Sequence, residues 1–187
     1  MTKVFIGGSR RISHLNTEVK QRLDRVIENQ LSVVVGDAAG ADTAVQEHLH
    51  ERGYSRVEVF CSAGACRNNV GDWPVRAIPA RGQRRDFNFF AAKDRAMAEE
   101  ASVGLMVWDQ DSVGTLMNAF RMLRLGRTVV LYADRDRKFL DLRDDRDWSH
   151  LIETCSTQLR LTIQRRVKSE SLPSDKAQLA LAQGRLL

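Results

Sequence analysis

Apolar residues in this chain fall into short runs, separated by stretches in which they recur every three or four positions. Val4-Phe5-Ile6 is such a run, followed at once by Gly7-Gly8-Ser9, and reads as a buried strand ending in a tight loop. Between His14 and Gln30, Leu15, Val19, Leu23, Val26 and Ile27 mark one face of a helix, with Asn16 or Thr17 placed to cap it. Leu31 to Val35 is a second strand ending in Gly36-Asp37. Ala38 to Arg52 carries Ala41, Ala44, Val45 and Leu49 on one side of a second helix that closes at Gly53. Arg56 to Cys61 then alternates as a third strand. Strands and helices alternating at this spacing predict a parallel sheet with right-handed crossovers.

The stretch from Ser62 to Arg85 breaks the rhythm with Gly64, Gly71, Pro74, Pro79 and Gly82, and holds one short strand-like piece, Val75 to Ile78. A loop this long in a compact domain is more often functional than incidental. Helical spacing returns over Asp86 to Ala101. Val103 to Trp108 is the most apolar strand, Thr115 to Leu125 a helix ending at Gly126, and Thr128 to Tyr132 a last parallel strand. The expected fold class is therefore α/β, a three-layer sandwich with a mostly parallel sheet, over residues 1–150. A C-terminal helical extension, 151–187, is expected to be partly flexible. Its helical spacing runs over Trp148 to Val167, then breaks at Ser169 to Asp175, and Lys176 to Leu187 has the pattern of one more amphipathic helix that suits a packing arm, a dimer contact or a frayed end.

Length and composition narrow the function classes. At 187 residues the chain supports one sizeable core, and 43% hydrophobic with 28% charged residues argues against general disorder or a fibrous repeat. No apolar run approaches the roughly 20 residues that span a bilayer. The opening MTKVFIGGSR enters a strand without a signal-peptide pattern, so a cytoplasmic protein is expected. Cys61, Cys66 and Cys155 form no CxxC pair and are expected as reduced, mostly buried thiols. The histidines are scattered, and His48 and His50 are spaced so that a helix turns them to different faces, so neither a metal nor a cofactor is expected. The net charge of +5 permits nucleic-acid contact, yet most of the surplus lies beyond Ser156.

In open parallel sheets, ligands bind beyond the carboxyl ends of the strands, where strand order reverses. Four loops belong there. Gly7-Gly8-Ser9-Arg10, followed by Arg11, suits a phosphate: small residues expose backbone N–H groups, Ser9 offers a hydroxyl and Arg10 a forked cation. A plain strand-to-loop turn with solvent-facing arginines fits the same residues. Neither a GxGxxG fingerprint nor a Walker loop is present, which excludes a Walker-type ATPase. The loop from Gly36 to Asp42, with Gly40 between, offers two carboxylates suited to ribose hydroxyls, although Asp37 also simply ends a strand and Asp42 opens a helix. In the long loop Arg67, Asn68, Asn69 and Trp73 offer a cation, amides and a stacking surface. The fourth loop runs from Asp109 to Thr115. Asp111 or Ser112 alone suffices to cap the next helix, which favours a ligand contact for Asp109. Lys93-Asp94-Arg95 has the appearance of a solvated helical face.

Four segments in order, FIGGSR at 5–10, VVVGDAAGADTAVQEHL at 33–49, KDRAM at 93–97 and LMVWDQDSVGTLMNAF at 105–120, resemble the SLOG superfamily. That Rossmann-like group unites the DNA-processing protein A domain, the cytokinin-activating phosphoribohydrolases and the YspA-like proteins, and the spacing is most similar to the YspA-like branch. The resemblance implies a nucleotide or nucleotide-derived ligand and a homodimer. In the phosphoribohydrolases a glutamate follows the glycine-threonine motif at the third position and an upstream helix supplies an arginine. Arg95 stands where that arginine would be, but Asn118 replaces the glutamate and Asp111-Ser112 replace a double glycine. An amide cannot serve as the carboxylate that stabilises an oxocarbenium-like transition state or activates water, which leaves Asp109 as the candidate catalytic carboxylate, with Asp37 as the alternative, from another position.

The expectation is a nucleotide-ligand-binding protein, acting as sensor or processing protein. Gly7, Gly8, Ser9, Arg10, Gly114 and Thr115 hold phosphate, with Ser112 and Asn118 beside them. Asp37, Asp42 and Asp109 hold ribose or base edges, and Trp108 or Trp73 stacks. Its enzymatic form is hydrolysis of the N-glycosidic bond of a nucleoside 5′-monophosphate. The alternative is a non-enzymatic nucleic-acid-binding, DNA-processing accessory protein that uses the basic tail.

Overall fold

A computed structural model of the chain describes residues 2–62, 66–79 and 87–170, without the side chains of 87–90. The helix expected over Lys176 to Leu187 lies outside the described residues.

The strands are β1 (Lys3–Gly8), β2 (Ser32–Gly36), β3 (Val57–Ser62), β4 (Val75–Ile78), β5 (Val103–Trp108), β6 (Thr128–Ala133) and β7 (Lys138–Leu142). The helices are α1 (Thr17–Glu28), α2 (Ala41–Glu51), α3 (Phe87–Glu100), α4 (Val113–Arg124), α5 (Asp145–Thr154) and α6 (Thr157–Ser169). They build one sheet in the order β4-β3-β2-β1-β5-β6-β7, parallel throughout except for β7, which runs antiparallel to β6.

Both faces of the sheet are covered, as the continuous apolar strands require. Val4 and Ile6 of β1 pack with Val19 and Leu23 of α1 and Leu49 of α2, whereas Phe5 between them packs with Met97 of α3 and Leu116 and Met117 of α4. The chain thus winds one way from β1 to β4 and, through α3, back across to β5. Strand order reverses between β1 and β5, which pair in register from Val4 with Val103 to Gly8 with Val107. The loops after these two strands must part there, and a crevice opens between them.

The structure departs from expectation in two places. After β6 the chain turns back as β7 to form an antiparallel edge. The helical spacing over Trp148 to Val167 is two helices, because the extended Cys155 and Ser156 break it and the Ser156 hydroxyl accepts from the Leu159 N–H to start α6. Leu151, Leu159 and Ile163 are buried in the same core as α3 and α4. Among the described residues no helix is long and apolar enough to cross a membrane.

Candidate functional site

A cavity of about 490 Å³ occupies the crevice at the β1/β5 reversal. The loop after β1 supplies Gly7, Gly8, Ser9, Arg10 and Arg11; the start of α4 supplies Ser112, Gly114 and Thr115, with Asn118 one turn further in. Ala38 and Asp42 reach it from the β2–α2 side, and Lys93, Asp94 and Met97 from α3. Thr162 and Arg166 of α6 complete the wall.

The β1 loop is held by its neighbours. Ser9 donates its backbone N–H to the Val107 carbonyl at 2.9 Å, which continues the β1–β5 pairing beyond the strand ends. A Cβ on Gly8 would lie 2.3 Å from that same carbonyl oxygen, so only glycine allows the approach. Gly40, at φ +86°, packs against the Arg10 backbone, where a Cβ would come within 2.3 Å of its carbonyl oxygen. Gly8 thereby allows the close approach of β1 to β5, and Gly40 that of the loop before α2 to the loop after β1. On the opposite wall, the Ser112 hydroxyl caps α4 by accepting from the Thr115 N–H and hydroxyl. The first turn of α4, with its unpaired N–H groups and partial positive charge, borders the cavity.

Asp109 stands behind the cavity wall. Its carboxylate accepts from the Ser9 hydroxyl at 2.8 Å and from the backbone N–H groups of Ser112 at 2.7 Å and Asp111 at 3.1 Å, and it pairs with Arg11 Nε at 2.9 Å. Burial would raise its carboxyl, but these hydrogen bonds and the Arg11 charge hold it below the ordinary value. Asp109 therefore ties the β1 loop to the β5 loop, and its oxygens are turned to the protein. It is not among the residues that line the cavity.

Asp37 is also engaged internally. It receives the Arg67 backbone N–H and the Nε/Nη2 edge of the Arg67 guanidinium, the shortest at 2.6 Å, and it pairs with Lys93 Nζ at 3.1 Å. Against the upward push of burial, Arg67 and then Lys93 hold its carboxyl at about 2. Asp42 does line the cavity; it accepts from the Ala38 N–H at 3.2 Å and lies 3.7 Å from Lys93. Burial raises its carboxyl, only partly opposed by Lys93. Burial alone would lower the Lys93 ammonium, but Asp42, Asp94 and Asp37 raise it, so Lys93 is a buried cation at the cavity edge. Gly36 is small because a Cβ there would strike Asp42 and Lys93.

The remaining expected residues lie elsewhere. Asn69 braces its own loop, donating to the Trp73 carbonyl and accepting from the Trp73 N–H. Trp73 is buried against α2 and donates its indole N–H to the Tyr54 carbonyl, and Trp108 is buried in the α3/α4 core, so neither indole is on the cavity for stacking. Arg95 pairs with Glu170 rather than lining the cavity. Cys61 and Cys66 are joined as a disulfide with Cα atoms 5.2 Å apart, which corrects the expectation of three reduced thiols; Cys155 is free and buried. Asp37 lies within 4.8 Å of both sulfurs, but the disulfide and the two cations on Asp37 occupy the donors a metal would need.

Sequence reasoning missed Lys93, Asp94, Thr162 and Arg166. Lys93-Asp94 is no solvated face: Lys93 is 3% exposed. Its position one turn before buried Met97 was the available signal. Thr162 and Arg166 gave none, because their placement depends on α6 folding back onto α4.

No family profile matches the chain, and no curated protein matches it in sequence. Solved structures do. DNA processing protein A from Helicobacter pylori, described for its single-stranded DNA binding mode, is 16% identical with a TM-score of 0.56, over 91% of this chain and 82% of that one. DNA processing protein A from Streptococcus pneumoniae is 23% identical with a TM-score of 0.57, over 86% of this chain and 61% of that one. At such identities the likeness is one of fold, and that fold is Rossmann-like.

Proposed function

We propose that the crevice between β1 and β5 binds a nucleotide unit through its phosphate, and that the unit belongs to single-stranded nucleic acid. The observation that carries this is the pairing, across one cavity, of the Gly7-Gly8-Ser9-Arg10 loop with the N-terminal turn of α4. Backbone N–H groups, the Ser112 hydroxyl and a forked cation converge there, as anion recognition requires, while the Ser9 and Thr115 hydroxyls are engaged by Asp109 and Ser112 instead of the phosphate expected for them. Arg10 and Arg11 are exposed at the rim, where a polymer backbone has access. The single-stranded DNA binding described for the Helicobacter pylori protein of like fold supports the polymeric source over a free nucleotide. The SLOG, YspA-like resemblance and the homodimer it implies belong to this same proposal.

Binding is favoured over cleavage. The candidate catalytic carboxylate Asp109 is spent on holding loops, and an amide, Asn118, stands where the phosphoribohydrolases place a glutamate. A glycosidase reading keeps one specific support, the raised carboxyl of Asp42 on the cavity wall.

The test is a titration of a fluorescein-labelled 12-mer oligothymidylate and, separately, of nucleoside monophosphates, with products followed by chromatography. The expected result is binding of the oligomer, intact recovery, and a loss of at least tenfold on Arg10→Ala in a folded protein. Tighter binding of a monophosphate would name the free nucleotide as ligand. Release of free base would establish cleavage, and undiminished binding by Arg10→Ala would remove the phosphate assignment.

A further inference from the structure

Asn118 is a residue whose two faces have been assigned different duties by its surroundings. It lies one turn into α4, is 8% exposed and borders the cavity. Its Oδ1 accepts from Arg121 Nη1 at 2.7 Å. An arginine side chain has five N–H donors and no acceptor, so the amide oxygen must be the atom that faces it, and the amide nitrogen must be the other. Among the described residues no acceptor meets Asn118 Nδ2. The polar group left to the cavity is therefore an NH2.

That orientation is locked from behind. Arg121 is fully buried, and Glu170 takes it in a fork, Nε to Oε1 at 3.0 Å and Nη2 to Oε2 at 2.9 Å. Glu170 is itself nearly inaccessible and also receives Arg95 Nε at 2.5 Å. Asp94 stands 3.9 Å from Arg121 Nη1. With its Nε/Nη2 edge held by the Glu170 carboxylate, the buried guanidinium keeps Nη1 aimed at the Asn118 oxygen, and releasing that oxygen would leave a buried N–H without its acceptor. The C-cap residue of α6 thus sets the polarity of a side chain in the cavity.

We infer that Asn118 is a fixed hydrogen-bond donor to an acceptor atom of the bound ligand, with Arg121 and Glu170 as positioning residues that keep its NH2 turned inward. The inference rests on the cavity being the nucleotide site. It gives the departure from glutamate at this position a meaning: the site presents a donor where a carboxylate would present an acceptor. The group received there is an electron-rich oxygen or ring nitrogen, and a group with only donors is rejected because it would meet the NH2 head-on.

The substitution that separates this duty from a structural one is Asn118→Asp. A carboxylate keeps the acceptor that Arg121 needs, so a residue kept only to satisfy Arg121 would tolerate or welcome the change. A ligand donor would not, because the NH2 is lost and a negative charge is added beside an anion.

With the labelled 12-mer oligothymidylate as probe, the expected result is a melting temperature at or above that of the wild type and affinity lowered at least tenfold. Asn118→Ala is expected to lose less affinity and more stability. Glu170→Gln is expected to weaken binding several-fold in the wild-type background and to add nothing in the Asn118→Asp background, since its influence on binding passes through the same amide. Gly114→Ala is the control for the site itself: a Cβ there meets nothing nearer than the Ser112 hydroxyl at 4.0 Å, so it fits the fold and intrudes only on the cavity. Loss of binding in Gly114→Ala with wild-type affinity in Asn118→Asp would overturn the donor assignment alone. Wild-type affinity in both variants, or no binding by the wild type, would overturn the site and the inference together.

Discussion

Asp37 and Asp109 are the residues whose role changes most once their partners are visible. Both have carboxylates at the ends of parallel strands, where ligand contacts are expected, and both are consumed by the protein. The physical reason is that loops brought to one crevice carry cations and unpaired N–H groups of their own, and a nearby carboxylate satisfies them. For Asp37 this predicts a pH signature. Its folded carboxyl at about 2 lies below its ordinary 3.8, so its contribution is present above the ordinary value and is lost as pH falls towards 2. The expected size is roughly 2 kcal/mol. Denaturant unfolding of the wild type and Asp37→Asn from pH 5 to pH 2 is expected to give curves that converge in acid; parallel curves would contradict the assignment. At neutral pH, Asp37→Asn loses that contribution by leaving Lys93 and Arg67 underpaired, and is expected to cost about 2 kcal/mol.

The legibility of these residues followed their neighbours. Gly7, Gly8, Ser9, Arg10, Ser112, Gly114 and Thr115 were readable because a strand end and a helix start fix where they go. Asp37 and Trp108 were misplaced in role because a sequence shows a carboxylate or an indole but not what surrounds it.

At the scale of elements, the alternation of strands and helices was readable from periodicity, and β1 through α4 lie close to their expected ranges. β7 was not, because an edge strand with one exposed side and charged residues such as Lys138 and Asp141 lacks the apolar run that marks its neighbours. The split between α5 and α6 was hidden for a different reason: apolar residues keep helical spacing across Cys155-Ser156, and only the cap discloses the break. Ser156→Ala should therefore destabilise the protein by about 1 kcal/mol, read as a shift in denaturation midpoint at unchanged slope. Because α6 carries Glu170, Arg166 and Thr162 against the cavity side of the molecule, the same variant is expected to weaken oligothymidylate binding as well as stability. An unaltered affinity would detach α6 from the site.

At the scale of the whole molecule, a doubly covered parallel sheet reverses its winding between β1 and β5, and the reversal opens one crevice at the strand ends. The surplus of positive charge, read from sequence as belonging to the tail, in part returns to that crevice through Arg166 on α6. The central claim is that a nucleotide phosphate sits between the β1 loop and the first turn of α4. The most direct measurement is the anisotropy of labelled oligothymidylate titrated with wild type and Gly114→Ala at several salt concentrations, with melting temperatures alongside. The account predicts wild-type binding that weakens steeply with salt, and a Gly114→Ala protein as stable as the wild type or up to about 1 kcal/mol more stable, with affinity reduced at least tenfold. Equal affinity and equal salt dependence in a folded Gly114→Ala protein would contradict it.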